Sequence, residues 1–337
     1  MSVPFPWQNR QWRQLWSAYQ TKRLPHALLL KGTHGLGISQ FARQFAATLL
    51  CDVPAEYGMV CKQCKSCLLY QAGNHPELTQ IEPEDRGKSI KIDQIRALAE
   101  FVTLKSHYGH FKIAILDPAE AMNRNAANSL LKTLEEPPPG TLLMLVSHRP
   151  MLLPVTVRSR CQSVDFNIPP GTVTQAWLAA QTPQKISPSL PPPLLMLADE
   201  APLTVLERLE SGLYTHYQGI LNDLQSLITN GSDPIDVVAH QWSKIGAEEV
   251  LLWLLNVIER LIKFKSTHDP AWISNLDTES RLRTSAEDLD VFRLFVMYDK
   301  LINYRHVLAS QTNIVALNLL EEFAIQWTTV LEPCKRL

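Results

Sequence analysis

Four cysteines stand close together in the first third of the chain, Cys51, Cys61, Cys64 and Cys67, in the pattern C-x9-C-x2-C-x2-C. Thiolates two residues apart can turn back onto a single ion, and zinc takes four such ligands tetrahedrally. Ferredoxin-type iron–sulfur sites also use consecutive C-x2-C units, but their fourth cysteine usually follows close behind. Here the next cysteine is Cys161, and the spare ligand lies upstream. One structural Zn2+ is therefore expected in a module at 51–67, because four thiolates leave no position open for water. His75 is near enough to stand in as a ligand and reads instead as a loop residue. Cys161 and Cys334 need no special function.

A second chemical pattern precedes the cysteines: Gly32-Thr33-His34-Gly35-Leu36-Gly37-Ile38-Ser39. A phosphate-binding Walker A loop needs Gly, four residues, Gly, Lys, then Ser or Thr, between a strand and a helix. Gly32, Gly37 and Ser39 fit, but the lysine position holds Ile38, so the β/γ-phosphate charge lacks its main side-chain partner. Backbone N–H groups around Gly35 could still face an anion. Further on, FKIAIL ends in Asp117, as a Walker B strand does, yet Pro118 stands where a water-activating Glu belongs, and Glu120 is two residues too late. Gly32, Gly35, Gly37, Ser39 and Asp117 thus outline a degenerate nucleotide site. ATP is not expected to be bound tightly or hydrolysed there.

The elements that must position these groups follow from periodicity. Ala27–Lys31, Leu78–Ile81, Phe111–Leu116, Leu142–Val146 and Gln162–Phe166 read as strands. Between them Ser39–Leu50, Lys91–Leu104 and a stretch from Asn123 to Glu136 read as helices, the last stopped by Pro137, Pro138 and Pro139. Alternation of this kind signals a parallel α/β sheet. Beyond Pro169 strand signals stop. A proline-rich segment, Ser187–Pro193, is followed by helical patterns over Leu194–Leu209, Tyr214–Thr229, Pro234–Phe264, Ala286–Leu308 and Thr312–Leu331.

Of the 337 residues, 45% are hydrophobic and 19% charged, which excludes a disordered chain. Lys plus Arg number 32 against 33 Asp plus Glu, so no basic nucleic-acid coat is present. No apolar run approaches the roughly 20 residues that span a bilayer. The opening MSVPFPWQNRQWRQLW has no apolar signal-peptide core. A soluble, cytoplasmic protein is expected.

Two further segments carry a resemblance. Asn128-Ser129-Leu130-Leu131-Lys132-Thr133-Leu134-Glu135-Glu136-Pro137-Pro138 follows the Asp117 strand, and Val157-Arg158-Ser159-Arg160-Cys161 precedes the last strand. With the cysteine module inserted after the P-loop helix, they resemble the bacterial clamp loader subunits of DNA polymerase III, an AAA+ family. The resemblance implies an AAA+ P-loop domain at 1–166, with a five-stranded parallel sheet, helices and the zinc module. A small helical lid domain at 167–208 and an all-helical collar at 209–337 would follow.

Within that family the gamma/tau subunits keep the P-loop lysine and hydrolyse ATP; Ile38 and Pro118 place this chain with the branch that does not. The sensor 2 arginine also has no counterpart in LADEAPLT, residues 197–204. The resemblance further implies a hetero-pentamer with gamma/tau and delta subunits that loads the sliding clamp onto primed DNA. In it, Arg160 of the Ser-Arg-Cys triplet is an arginine finger acting in trans on a neighbouring gamma/tau ATP site. Ser147 matches the sensor 1 position. Two rivals make other demands. An ATP-hydrolysing gamma/tau-like subunit would turn over ATP alone. A nucleic-acid-binding cysteine ribbon would interleave basic and aromatic residues, where CKQCKSCLLYQAG offers only Lys62, Lys65 and Tyr70.

Overall fold

In the computed structural model, residues 4–85, 87–106, 111–181, 201–210, 213–229, 231–269, 272–273, 286, 288–309 and 316–330 are described. They form two compact units, 1–177 with 200–204, and 178–199 with 205–337. The proline-rich segment, the helical pattern over 194–200 and Cys334 lie outside the described residues, as do residues 182–200 of the stretch read as a lid.

The first unit is built on five strands, β1 Ala27–Lys31, β2 Leu78–Ile81, β3 Lys112–Leu116, β4 Thr141–Ser147 and β5 Gln162–Asp165. All pairs are parallel, in the order β2-β3-β4-β1-β5. The central strands are apolar except at their ends, where Lys31, Lys112, Thr141 and Ser147 stand, because both faces are covered. Leu28, Leu30, Ile113, Ile115, Leu142 and Met144 face one core, which they share with Phe41 and Phe45 of α2 (Ile38–Leu50) and Trp12 of α1 (Asn9–Gln20). The alternate residues Leu29, Ala114, Leu116, Leu143 and Leu145 face a second core. It is completed by Ile95 and Leu98 of α4 (Ile92–Thr103) and by Leu130 and Leu134 of α5 (Arg124–Glu135). Short helices α3 (Lys65–Gln71) and α6 (Val155–Arg158) sit in the cysteine segment and before β5, and α7 spans Gly171–Gln181. Helix α1 was not legible in the sequence pattern; its buried residues are only Trp12 and Leu15.

The second unit is helical: α8 Pro202–Glu210 (its first residues belong to unit one), α9 Leu213–Ile228, α10 Pro234–Val237, α11 Ser243–Ile245, α12 Ala247–Thr267, α13 Val291–Ala309 and α14 Ala316–Trp327. The single helix expected over Pro234–Phe264 is interrupted. Val238–Trp242 is a π-helical turn, and Gly246 adopts φ +101°, which ends one helix and starts the next. Its core gathers Tyr217, Leu221, Trp242, Leu254, Phe323 and Trp327. Two indole N–H groups are satisfied inside it: Trp327 donates to the Leu224 carbonyl and Trp242 to Asp223. Burial pushes the Asp223 carboxyl up to about 6, against the lowering effect of the Trp242 bond. No helix among the described residues is long and apolar enough to cross a membrane.

Candidate functional site

The cysteines fold into one cluster. Cys51 ends α2, and Cys64 caps α3, accepting the N–H of Cys67 at 3.3 Å, which places the last two thiols one turn apart. Lys62, at φ +63°, turns the chain between Cys61 and Cys64. The four sulfurs all lie within 4.8 Å of one another, with Cys61 and Cys67 3.9 Å apart. Tetrahedral zinc with bonds near 2.3 Å needs sulfur–sulfur edges of about 3.8 Å. The donor set therefore fits one metal ion. Backbone N–H groups of Gln63 and Cys64 lower the Cys61 thiol to about 6, whereas burial raises Cys51 and Cys67.

His75 is not a fifth candidate ligand. Its Nδ1 accepts the Glu77 N–H at 3.1 Å, so Nε2 carries the proton and donates to Ser66 Oγ at 2.6 Å. Ser66 in turn donates to the Leu50 carbonyl. This buried relay ties the residue before Cys51 to the residue before Cys67.

The glycine loop is held by its own chain from two sides. Gln8, fully buried, donates its amide to the carbonyls of Leu36 at 2.8 Å and Gly37 at 2.9 Å, and Trp7 Nε1 donates to Leu36 at 3.0 Å. The Phe5 ring covers Gly37 so closely that an added Cβ would lie 2.5 Å from it. Phe5 stacks on Trp7, and Trp177 meets both edge-on. At Gly35 the Leu203 N–H donates to the carbonyl at 3.0 Å, and a Cβ there would meet Thr204 Oγ1 at 2.0 Å. Ile38, in the lysine position, is 1% exposed and belongs to the apolar core.

The acidic and sensor positions follow at the ends of the neighbouring strands β3 and β4, and Ser147 accepts the Gly32 N–H on its carbonyl at 3.2 Å. Asp117 lines an open cavity of about 540 Å³ with Glu82, Asp85 and Lys88, which no residue of the glycine loop lines. Ser147 is fully buried and its hydroxyl has no hydrogen-bond partner among the described residues. Glu120 serves the loop after β4, where its Oε1 accepts the N–H groups of His148 at 2.9 Å and Arg149 at 3.0 Å.

Arg160 lies on the surface after α6. Its guanidinium pairs with Glu135 at 2.7 Å, with side chains 37% and 49% exposed. Met151, Leu152 and Val155 leave an exposed apolar patch on the neighbouring turns. Sequence reasoning missed the roles of Phe5, Trp7, Gln8, Glu120 and Glu135. The only signal for the first three was an aromatic-rich start without periodicity.

Comparison with known proteins agrees across the chain. A family model described as DNA polymerase III, delta subunit, matches residues 7–170, and one for the C-terminal part of the same subunit matches 212–329. DNA polymerase III subunit delta' of Pseudomonas aeruginosa is 32% identical, covering 99% of this chain and 100% of that one. The Yersinia pestis protein of the same name is 30% identical, covering 97% and 96%. The tau/gamma subunit of Haemophilus influenzae is 35% identical over 53% of this chain and 25% of its own length.

Proposed function

The chain belongs to the DNA polymerase III subunit delta' family, and from that premise we propose that it is a non-hydrolysing AAA+ subunit of a clamp loader. Its partners are gamma/tau and delta subunits in a hetero-pentamer that places the sliding clamp on primed DNA in the cytoplasm. It acts there as a platform and as the donor of one residue to a neighbouring ATP site. The three-part division at 1–166, 167–208 and 209–337 goes with this reading, the last part serving as the collar.

The observation that carries the proposal is the state of the glycine loop. A Walker A lysine works from a loop whose backbone N–H groups cradle phosphates. In this chain the position is a core isoleucine, and Phe5, Trp7, Gln8 and Leu203 hold the loop itself. Gly32, Gly35, Gly37, Ser39 and Asp117 are then remnants of a nucleotide site rather than a working one.

Arg160 supports the complementary half. A guanidinium gives bidentate donors to the charge that develops on a γ-phosphate, and an arginine supplied in trans needs only an exposed position on a rigid edge. Arg160 has that exposure and is anchored beside α5 and α6. Zinc at Cys51, Cys61, Cys64 and Cys67 supplies structure: thiolates close the coordination shell, and the ion binds the end of α2 to α3.

Calorimetry with ATP and Mg2+, together with a steady-state hydrolysis assay on the purified chain, tests the reading. No binding at millimolar ATP and no turnover are expected. Tight binding with turnover by the chain alone would establish the gamma/tau-like alternative instead. Metal analysis of the same sample is expected to return one zinc per chain, and iron would overturn that assignment.

A further inference from the structure

The ion pair at Arg160 does more than its motif requires. The Val157-Arg158-Ser159-Arg160-Cys161 segment contains two arginines, and their surroundings differ. Arg158 turns its Nη1 toward Met151 Sδ at 3.3 Å. Arg160 instead places Nη2 against Glu135 Oε1 at 2.7 Å and Nη1 against the Thr156 carbonyl at 3.0 Å, with Ser159 Oγ at 3.4 Å. Glu135 is the last residue of α5 and Thr156 lies in α6, so two separate elements hold one guanidinium. Both elements are firmly seated. Asn123 caps α5 by accepting the Ala126 N–H, and Leu130, Leu134 and Val157 are buried in the same core.

We propose that Glu135 is a positioning residue for the arginine finger: its carboxylate, with the Thr156 carbonyl, braces Arg160 in the pose that meets a neighbouring subunit's γ-phosphate. This deepens the reading of Arg160 as a finger and rests on it. A guanidinium carries five N–H donors. Thr156 and Ser159 take their bonds from Nη1 alone, and Glu135 pairs with Nη2 by charge, so the group keeps donors for a phosphate. Arginine is long and loses rotamer freedom when it is fixed. A side chain braced before assembly has lost that freedom already, which favours the transition state directly. An ion pair as exposed as this one adds little to fold stability, so its removal separates positioning from folding.

The test is a double-mutant cycle in the complete reconstituted complex, with wild-type partner subunits, sliding clamp and primed DNA. ATP hydrolysis is compared for wild type, Glu135→Ala, Arg160→Ala and the double variant. Glu135→Ala is expected to lower kcat by about threefold or more, with KM for ATP within about twofold of wild type. The double variant should match Arg160→Ala alone, and Glu135→Gln, which keeps an acceptor without the charge, should fall between wild type and Glu135→Ala. The melting temperature of the purified Glu135→Ala chain should stay within about 2 °C of wild type. A wild-type or raised kcat for Glu135→Ala, or a further loss from Glu135→Ala in the Arg160→Ala background, would overturn the brace while leaving the finger standing. An unchanged rate for Arg160→Ala removes the finger itself and the brace with it.

Discussion

Two corners of the first unit bear on the proposed function, and they are finished in opposite ways. At the glycine loop, side chains of the same chain hold the backbone from both sides, and Ile38 is sealed into the core. At the Ser-Arg-Cys turn, Arg160 is left at the surface, oriented by one carboxylate and one carbonyl, beside exposed Met151, Leu152 and Val155. Local packing is what separates them. A loop that no longer has to admit a ligand can be filled, and filling it adds contacts to the fold. A group that must reach another molecule cannot be filled over. On the proposed reading, the absent lysine is only part of what closes the loop, since Phe5, Trp7, Gln8 and Leu203 also occupy its surroundings.

The largest effect that sharpens this contrast is at the far end of α2, whose other end carries the glycine loop. Structural zinc sites contribute about 10 kcal/mol or more of binding energy that is coupled to folding. Chelation, or Cys67→Ser, should therefore release the module, and limited proteolysis should show new cuts within 51–71. Protection of the α2 start is expected to persist, because Gln8, Trp7 and the apolar core hold it independently of the metal. Cleavage spreading into 32–40 would mean that the metal, rather than these contacts, keeps the loop in place.

Restoring the missing lysine is the next test. Ile38→Lys puts an ammonium where a side chain is 1% exposed among Phe41, Val146 and Phe166. A loss of about 4 kcal/mol in denaturant unfolding is expected, the scale of an unpaired buried charge, with no gain of ATP binding. Tight ATP binding by that variant would break the comparison, since the loop would then lack only a lysine. A smaller effect follows from Gln8→Ala. It strips hydrogen bonds from two loop carbonyls in a buried setting and should cost about 2 kcal/mol in the same measurement.

The two corners also differ in how far the sequence revealed them. Strands β1, β3 and β4 are apolar on both faces, so their runs were plain, as was the proline stop after Glu136. The four cysteines announce their cluster by spacing, and the structure brings their sulfurs within 4.8 Å. The closure of the loop was hidden because it depends on contacts across 28 residues and more in the chain, made by an aromatic-rich start with no period to read. Glu135 was legible only as part of a motif, since its pairing with Arg160 arises where α5 ends beside α6. In the helical unit, apolar periodicity runs across Gly246 without a signal, and only the backbone at φ +101° shows the break.

The central claim, that a subunit closed at its own site still acts next door, is tested most directly by one rate. In the reconstituted complex with clamp and primed DNA, Arg160→Ala should depress ATP hydrolysis several-fold. An arginine finger contributes on the order of 10³ or more at the single site it serves, and sites without it keep turning over. The purified variant should melt as wild type does, because its ion pair is surface-exposed. Hydrolysis at the wild-type rate, in a complex assembled to the same extent, would contradict the account.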